Sequence, residues 1–239
     1  MNSVLEARDL RLVLKGRNIF AIDQFTLQSG EVMALVGPNG AGKSSLLLTL
    51  ALLQTPTQGT ILFKGQTVSR DNLFVLRRQM ALVFQEALLL DTTVRRNITI
   101  ALRIRGVLGH EAAVRTDRWL ERFGILDLAR RQARQLSGGE AQRASLARAF
   151  ALEPEVLFLD EPFSSLDYPT RKVLLRDLGG VLQEMGMTAV FVTHDPTEIP
   201  YLATSVGVLH NGRIIKSGKV QEVLGTQLPG REEFQLWPD

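Results

Sequence analysis

Apolar and polar positions along the chain alternate between strand-length runs and helix-spaced stretches. Residues 4–14 and 19–27 are apolar-rich and are split by Lys15-Gly16-Arg17-Asn18, a turn-like break, so the chain is expected to open in β structure. Residues 31–36 form a short apolar run ending at a glycine; residues 43–53 read as a helix stopped by Pro56 and Gly59. Residues 60–63 return to strand before the turn Lys64-Gly65, and residues 81–84 make another strand. From about 92 to 152 the spacing turns helical, as in Arg118-Trp119-Leu120 with Phe123. Strand character resumes at 156–160 and 188–193, around a helix expected over 171–185. Asn211-Gly212, between 205–209 and 213–216, predicts a hairpin. The pattern describes one α/β domain with residues 1–85 and 151–225 as its core, 86–150 as a helical insertion and 226–239 as a short C-terminal tail.

Composition removes several function classes. A chain of 239 residues, 45% hydrophobic and 22% charged, can bury a core of useful size. Its longest apolar runs have strand length, well short of the roughly 18 residues of a membrane span. Glu6, Arg8 and Asp9 leave no room for a signal-peptide apolar stretch, so a cytosolic location is expected. With no cysteine, disulfides and thiolate metal sites are excluded, and His110, His194 and His210 are too dispersed to suggest a ligand cluster. The net charge of +3 is mild. Arg130, Arg131 and Arg134 interleave with Asp117, Glu121 and Asp127 as on a solvated helical face, so no nucleic-acid partner is expected.

Three short segments carry chemistry. Gly37-Pro38-Asn39-Gly40-Ala41-Gly42-Lys43-Ser44 fits the pattern of a phosphate-binding loop, with a strand before it and a helix after it. Glycines let successive N–H groups curl around phosphate oxygens, and the following helix adds its positive end. Lys43 is expected to reach the β- and γ-phosphates and Ser44 to coordinate Mg²⁺. Asp160 and Glu161 end the apolar run 156–159, where open α/β sheets bind ligands; Asp160 suits the metal and Glu161 the activation of water. Leu136-Ser137-Gly138-Gly139-Glu140 precedes a helix through Ala151. Ser137 and Glu140 have capping-box spacing, and the paired glycines leave a helix start that another group can approach closely.

Taken together these segments resemble the ABC ATPase family over nearly the whole chain. The resemblance rests on Walker A (Gly37 to Ser44), a Q-loop glutamine (Gln85), an LSGG-type signature (Leu136 to Glu140), Walker B (residues 156–160) with Glu161, a D-loop (Ser164-Ser165-Leu166-Asp167) and a switch histidine (His194). It implies a P-loop NTPase (RecA-like), mostly parallel core with an N-terminal antiparallel β subdomain and an inserted α-helical subdomain. It further implies ATP and Mg²⁺ as ligands and head-to-tail pairing of two copies around two nucleotides, with Ser137, Gly138 and Gly139 meeting the γ-phosphate held by the partner. Gln85 would help hold Mg²⁺ and the attacking water, His194 would bond the γ-phosphate, and Asp167 would lie at the dimer seam. Two departures stand out: Glu140 where the signature usually has glutamine, and Ser45 where threonine is common beside the loop. The turn region 13–17 has no aromatic to stack on adenine, and Phe20 is the nearest candidate.

The resemblance also points to a transporter subunit. The insertion from Gln85 to Ser137 is too compact for the coiled coils of DNA-repair relatives, and one motif set is present where translation-factor relatives usually carry two. A stand-alone subunit on the cytoplasmic membrane face is expected, paired with a second ATPase copy and permease subunits, and through them with a solute-binding protein. The alternatives are an exporter subunit and a soluble ATPase acting on a macromolecule. Residues 87–94 with Ile104-Arg105-Gly106 resemble oxyanion importers of the tungstate or molybdate type. A large C-terminal regulatory domain is not expected, and residues 228–239, with Trp237, read as a short tail.

Overall fold

A computed structural model describes residues 3–225, so the C-terminal tail expected at 226–239 lies outside the described residues. Strands β1 (Ser3–Leu14) and β2 (Arg17–Gln28) form a long antiparallel hairpin. Lys15 and Gly16 both take positive φ, 49° and 76°, as a two-residue turn matched to strand twist requires. β4 (Gln58–Phe63) and β5 (Gln66–Thr67) complete a four-stranded sheet in the order β2-β1-β4-β5.

The second sheet has the order β10-β9-β3-β8-β7-β6. Its strands are β3 (Val32–Val36), β6 (Met80–Val83), β7 (Val156–Asp160), β8 (Ala189–Val192), β9 (Ser205–His210) and β10 (Arg213–Lys219). Pairings among β9, β3, β8, β7 and β6 are parallel, and only the β9–β10 hairpin is antiparallel. The inner strands read as unbroken apolar runs because both sheet faces are covered. Val32, Ala34 and Val36 enter one core with Leu157, Leu159, Ala189 and Phe191. Met33 and Leu35 enter the other with Val156, Phe158, Val190 and Val192. Side chains alternate across a strand, so each run feeds both cores.

Helices cover these faces. α1 (Lys43–Leu50) packs between the two sheets, where Leu46, Leu47 and Leu50 join the core of the antiparallel sheet. A short helix absent from the sequence expectation, α2 (Leu73–Arg77), precedes β6. α3 (Val94–Ile104), α4 (Gly109–Arg122) and α5 (Gly138–Ala151) form the helical layer between β6 and β7. Trp119, Phe123 and Phe150 cluster there with ring centroids 5.0–6.0 Å apart. Such pairs add about 0.5–1.5 kcal/mol each beyond their buried area. α6 (Tyr168–Glu184), α7 (Ile199–Leu202) and α8 (Val220–Leu224) are the remaining helices of four or more residues among the described residues. Among the described residues no helix is long and apolar enough to cross a membrane.

Candidate active site

Parallel strand order decides where the chemistry gathers. The glycine loop follows β3, Asp160 ends β7, His194 follows β8 and Gln85 follows β6, so all stand at the C-terminal edge of one sheet. β8 lies between β3 and β7, with Val192 opposite both Leu35 and Asp160.

At two of its glycines the loop is packed too closely for a side chain. A Cβ on Gly37 would meet the Leu209 carbonyl at 2.0 Å, and one on Gly42 the Ile19 carbonyl at 2.8 Å. Gly42 also has φ 98°, the left-handed region that glycine enters without steric cost. It opens α1 with no side-chain cap and no acid in the first turn, so the positive helix end is left for an anion. Lys43 is buried at 6% exposure, and its Nζ donates to the carbonyls of Gly37 (2.9 Å) and Pro38 (3.0 Å). Burial lowers the Lys43 pKa, while Glu161 and Asp160 oppose the shift. Asn39, Gly40 and Ser44 are exposed, Ala41 is buried, and Pro38 and Ser45 are half-buried, Ser45 offering its carbonyl to the Thr49 hydroxyl.

The Ser44 hydroxyl donates to Asp160 Oδ1 at 2.9 Å across a separation of 116 residues. Burial raises the Asp160 pKa; the Ser44 hydrogen bond lowers it, Glu161 raises it and Lys43 lowers it. This hydroxyl–carboxylate pair is a hard oxygen donor set that suits Mg²⁺. Glu161 takes φ 45°, a left-handed conformation costly for a side-chain-bearing residue. Its N–H is held by the Val192 carbonyl at 3.0 Å, and its own carbonyl accepts from the Ser164 hydroxyl and N–H. The resulting turn aims the Glu161 carboxylate at His194, with Oε2 3.0 Å from Nδ1. Gln85 is exposed two residues beyond β6.

The other segment stands apart. Ser137 caps α5 by accepting from the Glu140 N–H at 3.3 Å, and Glu140 accepts from the Ser137 N–H at 2.7 Å, completing the expected capping box. That backbone bond is the main reason the Glu140 carboxyl is held below its ordinary pKa. Arg131 donates to Glu140 at 3.2 Å and offsets the charge that replaced glutamine. Among the described residues no hydrogen bond or ion pair joins Ser137, Gly138, Gly139 or Glu140 to the glycine loop.

Phe20 is corrected by the structure. It is 1% exposed, inside the core of the antiparallel sheet, and cannot offer a ring to a bound base. The exposed apolar side chains at that hairpin are Val13 and Leu14, each 42% exposed. Two partners escaped the sequence reading. Arg131 lies nine residues before Glu140, outside any helical spacing, and Arg171 meets Asp195 from 24 residues away. The cap residue Asp195, just before Pro196, was the one legible signal.

Fold and site together define an ATP-binding domain of the P-loop NTPase class. The chain belongs to the ABC transporter family, whose description matches residues 21–164. It is similar to the methionine import ATP-binding protein MetN of Streptomyces avermitilis, 36% identical over 230 residues, which covers 91% of this chain and 66% of that protein. It is also similar to the sulfate/thiosulfate import ATP-binding protein CysA of Brucella melitensis, 45% identical over 204 residues, 83% of this chain and 56% of that protein. The chain thus spans somewhat over half the length of these curated relatives. Among solved structures it is similar to cbiO1 from Clostridium perfringens, part of the ABC transporter complex cbiONQ, with TM-score 0.85, 29% identity and coverage of 95% of this chain and 92% of that one. A dimeric post-hydrolysis state of the ATP-binding cassette MJ0796 bound to ADP and Pi gives TM-score 0.82 at 26% identity, covering 90% of this chain and 98% of that one.

Proposed function

We propose that the chain is the ATP-hydrolysing subunit of a membrane importer and works as a pair of copies that grip two ATP molecules between them. One observation carries this reading. Lys43, Ser44, Asp160, Glu161 and His194 share one sheet edge, whereas among the described residues the Ser-Gly-Gly helix start has no bond to it. A chain with two anion-binding elements that do not meet is built to complete its site with a second copy.

In that site the N–H groups of Gly37 and of residues 39–45 wrap the phosphates, Pro38 having none to offer, and Lys43 neutralises the β- and γ-oxygens. Ser44 and Asp160 hold Mg²⁺, with Gln85 beside them; the ion supplies charge neutralisation at the phosphates. Glu161 takes a proton from the water that attacks the γ-phosphorus as the bond to the ADP oxygen breaks. His194 orients Glu161 and bonds the γ-phosphate. Ser137, Gly138, Gly139 and the capped start at Glu140 contact the partner's γ-phosphate, and Asp167 lies at the seam.

The permease would sit in the open groove of about 450 Å³ between β6, α2 and the helical layer. Phe74 on its rim is 69% exposed, and Arg77, Arg78, Arg105 and Arg148 line it. That chemistry suits an apolar permease segment bearing a carboxylate, and docking there would hold the chain against the cytoplasmic membrane face. A solute-binding protein would act through the permease. The import ATP-binding relatives support the direction, and the sulfate/thiosulfate relative supports an oxyanion as solute.

The test is Glu161→Gln. This variant should bind ATP as the wild type does, lose turnover by about 10²–10⁴-fold and sediment as a dimer with MgATP. Undiminished turnover would remove Glu161 from the base role.

A further inference from the structure

Three parts of the molecule meet at the first turn of α6. Thr170, in that turn, is seated on the Ser-Gly-Gly tip: a Cβ on Gly139 would stand 2.7 Å from Thr170 Cγ2, closer than packed carbon atoms approach. The next residue, Arg171, donates from Nη1 to Asp195 Oδ2 at 2.8 Å and from Nη2 to the Leu166 carbonyl at 3.5 Å. Asp195 directly follows His194 and is 3% exposed. Its Oδ1 accepts from the Thr197 N–H (3.1 Å) and hydroxyl (2.7 Å), and its own N–H donates to the Thr193 hydroxyl at 2.9 Å. These bonds set the backbone on both sides of His194. Farther along α6 the fit is equally close: a Cβ on Gly179 would meet the Tyr201 carbonyl at 2.3 Å, so α6 and α7 touch backbone to backbone.

We propose that Arg171 is a positioning residue through which the Ser-Gly-Gly tip and His194 of one chain move together, coupling the two nucleotide sites of the dimer. This rests on the preceding reading, in which the tip meets the partner's nucleotide while His194 faces its own. Gly139 bears on Thr170, Arg171 holds Asp195, Asp195 sets the backbone at His194, and His194 stands 3.0 Å from Glu161. A shift of the tip onto the partner's γ-phosphate displaces the first turn of α6, and the largely buried ion pair carries that displacement to the histidine. Arg171 bonds Asp195 and Leu166 rather than the glycine loop, so it acts through His194 and not on the nucleotide.

Steady-state hydrolysis over a range of ATP concentrations tests this, with ADP affinity and thermal midpoint measured on the same preparations and the membrane partner present where turnover requires it. Wild-type hydrolysis should be cooperative in ATP. Arg171→Ala should lower kcat by about tenfold, bring the Hill coefficient to one and leave the ADP Kd unchanged. Arg171→Lys, which keeps a charge for Asp195 but loses the fork to Leu166, should recover part of kcat. Removing Arg171 alone takes the guanidinium away from a buried carboxylate, so Arg171→Met with Asp195→Asn is measured beside it; asparagine keeps the oxygen that accepts from Thr197, and both charges of the pair are removed together. That double variant should fold and bind ADP as the wild type does yet show the same loss of kcat and cooperativity. Wild-type kcat and Hill coefficient in any of these variants, or a wild-type Hill coefficient of one, overturns the proposal. A wild-type chain that hydrolyses no ATP overturns the underlying reading instead.

Discussion

His194 and Glu161 are 33 residues apart in the chain, and their side chains stand 3.0 Å apart, Nδ1 to Oε2. The Glu161 side chain is 18% exposed and that of His194 52%, so the imidazole forms the solvent-side wall of the carboxylate. A histidine that holds a base in line and bonds the developing charge contributes to the transition state more than to the ground state. His194→Ala is therefore expected to lower kcat by about 10²-fold with little change in nucleotide Kd. Equal losses in kcat and in ATP affinity would place His194 in binding instead.

Lys43 should behave in the opposite way. Its ammonium is buried and bonded to two loop carbonyls, so it shapes the loop as well as charging it. Lys43→Ala should weaken ATP binding by tenfold or more, roughly the value of one charge-assisted bond. Calorimetric titration with ATP measures this, and an unchanged Kd would count against phosphate binding at the loop.

Asp160 should weaken the fold at neutral pH. Its raised pKa means that the folded chain holds this proton more tightly than the unfolded chain does. The favourable contribution is present below the ordinary aspartate range and is lost as pH rises through the raised folded value. At neutral pH the desolvated carboxylate thus costs the fold stability. Asp160→Asn should raise the thermal midpoint at neutral pH by about 2–4 °C, lose that advantage on acidification and abolish Mg²⁺-dependent hydrolysis. A lower midpoint for the variant at neutral pH would contradict the sign.

Base selectivity should be weak. Ile19, at the start of β2, presses its carbonyl against Gly42, which brings the β1–β2 hairpin beside the loop. That hairpin presents Val13 and Leu14 in place of an aromatic ring. Apolar side chains offer a base edge no hydrogen bond, and stacking itself is nearly blind to which base it holds, so ATP and GTP should bind within about tenfold of one another. A competition assay showing a preference above about a hundredfold would reveal a base-reading contact elsewhere.

Local chemistry explains which elements were legible in the sequence. Asn211-Gly212 encodes its own hairpin, with φ 47° and 72° at the two turn residues. Ser137 and Glu140 encode their own capping box. The runs at β3, β7 and β8 show as strands because both sheet faces bury them. α2 was missed because a five-residue helix with no side-chain cap leaves little periodic signal. Phe20 was misjudged because strand register, which a sequence sets only through its partners, turns it into the core.

Spacing and residue type alone determined the glycine loop, the acids at the end of a buried strand, the Ser-Gly-Gly helix start and the interrupted α/β order. Each depends on backbone conformations fixed within a few residues. Tertiary structure decided what depends on neighbours in space. It set β8 between β3 and β7, brought Ser44 to Asp160 across 116 residues and placed Arg171 on Asp195. The physical reason is that the order of parallel strands comes from burying both faces of the sheet at once, a condition on the whole chain that no single segment contains.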